Sequence, residues 1–288
     1  RDLHLSLRRQ RQMCIRDRGE IVKTMMKLAP PELALRDDAI GFQVEPHRRG
    51  MNKLVRRCGV ALDPSLAVIR EAVEAGVSLL ITHHPLFTQP VNRVDGGLLR
   101  RLKLLLDNNI ALYVAHSNLD AAEGGLNDTL AEVLNLNIVD VLEVADGNGT
   151  VPLGRVCMVK VKEMKLETFA DYVFHKLDAE LVQYVKAREK PIEKVAVACG
   201  RNASPSLLVY SKKKGADTYL TGEFSYSLAL TGEEEGVNVV SVSHYDTEKH
   251  GMKKVAQLLS IEHPEVHVLF FDLKPKVFHF VKGEIEDA

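Results

Sequence analysis

The stretch Ile81-Thr82-His83-His84-Pro85-Leu86-Phe87 decides how this chain is read. The residues leading into it, Val77-Ser78-Leu79-Leu80-Ile81, have the length and apolar character of a buried strand. Side chains alternate across a strand, so His83 and His84 leave by opposite faces unless the chain turns there. Pro85 forces that exit, because it cannot continue a strand ladder and restricts the residue before it. Polar residues at the carboxyl end of an apolar strand stand where open α/β sheets place their ligands.

The same rhythm recurs outward from this point. Residues 20–28 form an amphipathic helix ended by Ala29-Pro30-Pro31. Residues 37–44 are a turn and short strand, and residues 58–62 a second strand. Asp63-Pro64-Ser65 opens a helix with an N-cap and a proline at its first position. A helix over 97–107, a strand over 110–115 and a helix over 125–136 follow. Asp146-Gly147-Asn148-Gly149 is a looser stretch between two halves. Strands are then expected over 156–161, 195–198, 218–220, 237–242 and 267–271, with helices over 166–177, 204–214 and 247–259. The alternation predicts an α/β fold of two interlinked lobes with mainly parallel sheets, its site at strand carboxyl ends between the lobes. The expected divisions are 19–145, holding the paired histidines and Asp120, and 146–288, holding His244 and Glu248; together they make one unit.

Composition narrows the class. The chain has 288 residues, 45% of them hydrophobic and 27% charged, with a formal net charge of -1. Such a balance suits a soluble globular protein, and without a basic stripe direct nucleic-acid binding is not expected. No run approaches the roughly 18 apolar residues of a membrane span. The four cysteines, Cys14, Cys58, Cys157 and Cys199, are scattered without a CxxC pair, which predicts a reducing, cytoplasmic setting. Residues 1–18 are expected to be a non-native leader: Met13-Cys14-Ile15-Arg16-Asp17-Arg18 is what a transposon-adapter DNA end encodes in one frame. The alternative is a basic, disordered leader, and neither carries a site.

Of the eleven histidines, His83, His84, His116 and His244 stand at or just beyond strand ends. His116-Ser117-Asn118-Leu119-Asp120 places an acid in a loop before a helix, and Ser243-His244-Tyr245-Asp246-Thr247-Glu248 places His244 and Glu248 at i and i+4, on one face of a helix. Histidine with carboxylate suits Zn, Mn, Fe or Co rather than an all-oxygen cage. Three imidazoles (His83, His84, His244) and two carboxylates (Asp120, Glu248) exceed one open ion and fit two divalent ions sharing a carboxylate. Taken singly, each has another reading: Asp120 as an Asx turn or cap, and Glu248 as a complement to the helix dipole. His116 either orients Asp120 or ligates directly. Glu223 is either an acidic pocket edge or a turn and cap. His47, His175, His250, His263, His267 and His279 read as surface or packing residues, and Cys58 and Cys199 as small buried ones.

The segments ITHHP (81–85), HSNLDAAEGGLND (116–128), GADTYLTGE (215–223) and SHYDTEKHG (243–251) occur in the order and separation of a known family. Over residues 19–285 the chain resembles the NGG-interacting-factor-three-like proteins, which carry the labels GTP cyclohydrolase I type 2 homologue and dinuclear metal centre hexameric protein. The resemblance implies two metals held by His83, His84, Asp120, His244 and Glu248, and a hexamer (toroid or trimer of dimers) with its sites facing an inner cavity. The chain departs from the family where many relatives have a histidine near Ser227, at the turn Cys199-Gly200-Arg201-Asn202-Ala203, and at Arg36-Asp37-Asp38-Ala39-Ile40-Gly41. These changes touch the substrate-contacting shell and leave the metal ligands intact.

Two functions from different classes follow as expectations. One is a metal-dependent hydrolase of a nucleotide or other phosphorylated heterocycle, GTP cyclohydrolase-like by resemblance. A metal-bridged hydroxide would be its nucleophile, and His116 or Glu123 would move protons. No P-loop and no GxGxxG supports an ordinary nucleotide cradle. The other is a non-catalytic metal-binding scaffold or metal-handling protein that acts through partners, so enzyme status stays open at this point.

Overall fold

A computed structural model describes residues 16–46, 54–147 and 149–275. Cys14, His47, His279 and residues 1–15 of the expected leader lie outside them. The described chain starts as strand β1 (Arg16–Asp17) and runs into helix α1 (Arg18–Leu28), whose N-cap Asp17 accepts from the Gly19 amide. After a short 3-10 turn come β2 (Gly41–Val44), β3 (Leu54–Val55), β4 (Arg57–Ala61), α2 (Leu66–Glu74), β5 (Leu79–Thr82) and α3 (Gly96–Asp107). The chain continues through β6 (Ala111–Val114), α4 (Ser117–Ala121), α5 (Leu126–Val133), β7 (Asn137–Asp146) and β8 (Gly149–Met158). Then follow α6 (Leu166–Lys176), β9 (Gln183–Val185), β10 (Lys194–Ala198), α7 (Pro205–Lys213) and β11 (Thr218–Thr221). The last elements are α8 (Tyr226–Glu235), β12 (Asn238–Ser241), α9 (His244–Glu262) and β13 (His267–Phe271).

Two sheets organise this mixed α/β fold. The first has the order β13-β4-β5-β6-β2, parallel except for β2. The second has the order β7-β8-β10-β11-β12-β9; its centre, β10 to β12, is parallel and its flanking strands are antiparallel. Strands β5, β6, β11 and β12 are buried at every position, as parallel strands covered by helices on both faces must be. Asp146 and Gly149, which bound the stretch expected to be loose, pair with each other at the end of the β7–β8 ladder. An Asp-Gly-Asn-Gly sequence is rich in the residues that hairpin turns require. Sheet membership therefore crosses residue 145 twice: β7 joins the second sheet, and β13 returns to pair with β4 of the first.

One core joins the sheets, holding Leu79 and Ile81 of β5 with Val195 and Val197 of β10 and Met252, Val255 and Leu259 of α9. Helix α9 begins directly after β12 of the second sheet and packs on α5, β13 and β4. It starts at His244, three residues before the expected start at Thr247, because Ser243 caps it by accepting from the Asp246 amide. The helix thus links the two sheets. Among the described residues, no helix is long and apolar enough to cross a membrane.

Candidate metal centre

Strand β5 ends at Thr82, so the chain has already turned where the paired histidines stand. The Thr82 hydroxyl donates to the His84 carbonyl at 2.9 Å and closes that turn. The two rings consequently lie on one side, with centroids 4.9 Å apart. Asp120 arrives from α4, beyond β6, and His244 and Glu248 from the first turn of α9. The i, i+4 spacing works as expected, with His244 Nε2 3.1 Å from Glu248 Oε2.

The tautomers follow from what each Nδ1 faces. His83 Nδ1 is 2.9 Å from the Ala115 carbonyl, His84 Nδ1 is 2.7 Å from Asp63 Oδ1, and His244 Nδ1 is 2.7 Å from Glu223 Oε1. Each partner is an oxygen acceptor, so each Nδ1 carries the hydrogen and each Nε2 is left to face inward. Anchored in this way, imidazoles are prepared for a cation, as in metal sites where a carboxylate or carbonyl orients the histidine. Asp63 was expected to cap α2. Ser65 takes that place by accepting from the Val68 amide, which leaves Asp63 for His84.

The inward atoms fall into two groups around one carboxylate. Glu248 Oε1 lies 3.7 Å from His83 Nε2, which is also 3.7 Å from Asp120 Oδ1. Glu248 Oε2 lies 3.2 Å from His84 Nε2 and 3.1 Å from His244 Nε2, and those two nitrogens are 3.0 Å apart. His83 Nε2, Asp120 Oδ1 and Glu248 Oε2 are buried without an aligned hydrogen-bond partner. Each such orphan costs about 1–3 kcal/mol, more when charged, unless something satisfies it. The residues therefore fit a bound cation: the donors are nitrogen and carboxylate oxygen, buried and convergent, and the groups His83/Asp120/Glu248 and His84/His244/Glu248 each could hold a metal ion.

Protons stand in for that charge in the metal-free chain. Burial pushes His84 down, but the Asp63 hydrogen bond and the nearby Glu248 carboxylate outweigh it and lift the pKa to about 10. Burial likewise lowers His244, and the Glu248 carboxylate lifts it to about 9. Burial and the Glu248 charge raise Asp120 to about 8. Burial alone would raise Glu248, yet the imidazoles around it hold it well below the usual carboxylate range. Glu248 is thus the ionised partner and Asp120 the protonated one.

The backbone closes tightly on Glu248. Gly200, with φ +59°, follows β10; a Cβ there would sit 2.0 Å from Glu248 Oε1 and 2.9 Å from His244 Nε2. A Cβ on Gly222 would sit 2.9 Å from the His244 Cα. The familiar reading of these glycines as turn residues misses this close approach.

His116 neither bonds the Asp120 side chain nor joins Glu248. Its Nδ1 is 2.8 Å from Asp38 Oδ1, and its ring centroid is 5.0 Å from that of His83, with which it and His84 form a third group of possible metal-binding residues. Asp38 accepts from the Ser117 amide and hydroxyl. Burial raises Asp38, but His116 and Ser117 bring it down to about 2. Glu123 is exposed, lines a separate small cavity with Leu28 and Lys254, and belongs to none of the three groups. Ser227 lies in the first turn of α8, its hydroxyl 2.7 Å from that of Ser225. Cys199 is buried and its thiol pushed well above the ordinary range, which suits packing rather than nucleophilic attack. A cavity of about 440 Å³, bordered by Glu223, Phe224, Ser243, His244 and Lys274, opens beside the cluster. Asp38, Asp63 and Glu223 were not identified from sequence as histidine partners. Each precedes its histidine by about 20 residues or more, and no short motif signals such a pairing.

A model of the Duf34/NIF3 (NGG1p interacting factor 3) family matches residues 17–276. A Methanocaldococcus jannaschii protein named GTP cyclohydrolase 1 type 2 homolog is 40% identical over 243 residues, covering 84% of this chain and 93% of that protein. A Clostridium perfringens protein of the same name is 31% identical over 241 residues, 83% and 89% of the respective lengths. Among solved structures, reduced HcgD from Methanocaldococcus jannaschii aligns with a TM-score of 0.77 and 35% identity over 90% of this chain and 99% of that one. A Bacillus cereus protein related to NIF3 aligns with a TM-score of 0.81 over 93% of this chain and 99% of that one; at 24% identity, that likeness shows the fold alone.

Proposed function

The chain belongs to the Duf34/NIF3 family, and on that premise we propose that it holds two divalent metal ions and acts as a metal-dependent hydrolase of a nucleotide or other phosphorylated heterocycle. The observation that carries this reading is Glu248, whose two oxygens face two different sets of histidines. His83 and Asp120 with Oε1 would hold one ion, and His84 and His244 with Oε2 the other; the donor set suits Zn, Mn, Fe or Co. Bound there, a metal pair supplies Lewis acidity and lowers the pKa of water toward ~7.

The chain's own residues supply the rest. Asp63, Glu223 and the Ala115 carbonyl keep the three Nε2 atoms aimed inward. His116, with Nδ1 tied to Asp38 and its ring centroid 5.0 Å from that of His83, would move a proton at the edge of the cluster. The cavity beside His244 admits the substrate. The reading includes a homo-oligomer, proposed to be the family's hexamer, and a cytoplasmic setting, with which the free, buried cysteines Cys58, Cys157 and Cys199 agree.

The test is turnover at measured metal content. Loaded protein should hydrolyse GTP or a member of a phosphoester panel, and His116→Ala should cut that rate by about 10²–10⁴-fold with its metal retained. Fully loaded protein that turns over none of these would leave the scaffold reading in its place.

A further inference from the structure

We infer that Asn127 is a positioning residue that sets the distance between the two carboxylates of the metal cluster, an inference that rests on the metal-binding reading above. Asn127 sits in the first turn of α5 with none of its surface exposed. Its Nδ2 donates to the Asp120 carbonyl at 3.0 Å and to the Leu153 carbonyl at 3.2 Å, while its Oδ1 accepts from the Cys199 amide at 2.9 Å. One planar amide thus ties the backbone of Asp120, which follows β6 of the first sheet, to the end of β10 in the second.

The tie ends on the two sides of the cluster. Asp120 carries one carboxylate. Cys199 immediately precedes Gly200, the residue whose backbone walls Glu248 so closely that a Cβ would meet Oε1 at 2.0 Å. Between the two carboxylates stands His83 Nε2, 3.7 Å from each and buried without a partner. Asn127 makes its hydrogen bonds to backbone and to none of these side chains. Two donors and an acceptor are needed at one point, and an aspartate supplies no donor, a leucine neither. A change at Asn127 therefore frees Asp120 and the Gly200 turn to move apart while every ligand stays present.

The experiment loads the metal-free chain with Co²⁺ and reads affinity, the visible d–d spectrum and the melting midpoint of the metal-free form. The variants are Asn127→Asp, Asn127→Ala and, as a control, Asn238→Ala. Asn238 is equally buried and bonds Thr218 and Ala187 at the opposite end of β12 from the cluster. Both Asn127 variants should weaken Co²⁺ binding by about 10–100-fold and alter the d–d band. Asn238→Ala should lower the melting midpoint with affinity and spectrum unchanged. In the wild-type chain, Co²⁺ should slow hydrogen exchange of the Cys199 amide by about tenfold or more, a measurement that needs no variant to fold. Unchanged affinity and spectrum in the Asn127 variants, or Cys199 exchange that ignores Co²⁺, would overturn the inference alone. A wild-type chain that binds no Co²⁺ would overturn the metal reading and this inference with it.

Discussion

Replacing Gly200 by alanine adds one carbon where the structure has no space for it. The residue has φ +59°, and left-handed backbone costs an alanine about 1–2 kcal/mol. The larger effect is steric: the new Cβ would lie 2.0 Å from Glu248 Oε1, against the 3.4 Å at which ordinary contact begins. The carboxylate must retreat by about 1.4 Å, which carries it out of coordination range of any ion held near 2.0–2.2 Å. Because both donor groups share Glu248, both lose an oxygen. Metal affinity should fall by at least about 100-fold, and the metal-free protein should melt lower as well, because it bears both the backbone strain and the displaced carboxylate. Elemental analysis of purified protein, with calorimetric titration of the metal-free form, reads the first quantity, and thermal denaturation reads the second. Gly200→Ala protein with wild-type metal content and affinity would refute the claim that Gly200 walls the shared carboxylate.

Other variants separate the donor groups. Glu248→Ala should reduce metal content to near zero, whereas His244→Ala and Asp120→Ala should each leave about one ion per chain by elemental analysis; equal loss in all three would dissolve the two-group arrangement. Loading should also release protons. His84, His244 and Asp120 have pKa values raised to about 10, 9 and 8, so Asp120 and the imidazole pair taken together hold protons near pH 7. The His84 and His244 Nε2 atoms, 3.0 Å apart, have space for one proton between them. About two protons per chain should therefore leave on loading at pH 7, read by calorimetry in buffers of different ionisation enthalpy; no buffer dependence would contradict this. For raised pKa values, the associated stability is complete below the unfolded values and is lost as pH rises through the folded ones. The metal-free chain should accordingly melt lower as pH climbs from about 7 toward 10, and loading should flatten that slope. Finally, Arg155 is buried, pairs with Asp128, and donates to the carbonyls of Ala121 and Ala122 just after Asp120. Asp128→Asn should cost about 3–5 kcal/mol and lower the melting midpoint by on the order of 10 °C; a change within 2 °C or so would contradict that estimate.

Where residues near one another in sequence meet in space, the chain could be read directly. His244 and Glu248 share a helical face because the helix begins at His244, and the paired histidines share a site because β5 stops at Thr82. Residues that act across the fold were harder to read. Asp63 looked like a cap because Asp-Pro-Ser is a helix-start signature, yet Ser65 caps and Asp63 holds His84. Asp38 and Glu223 reach their histidines from other loops, and nothing local marks them. The β7–β8 hairpin was read as a break because its tip is rich in glycine, while strand β13 could be placed beside β4 only by tertiary packing. Helix α8 (Tyr226–Glu235), with Gly232 inside it and three glutamates at its end, has a weak helical pattern and was not anticipated.

The central claim is that Glu248 divides its two oxygens between two ions. Anomalous diffraction from crystals of the metal-loaded protein, collected at the metal's absorption edge, tests it most directly. Two peaks roughly 3.5–4 Å apart should flank the Glu248 carboxylate, one beside His83 and Asp120 and the other beside His84 and His244. A single peak, or peaks away from these five residues, would contradict it.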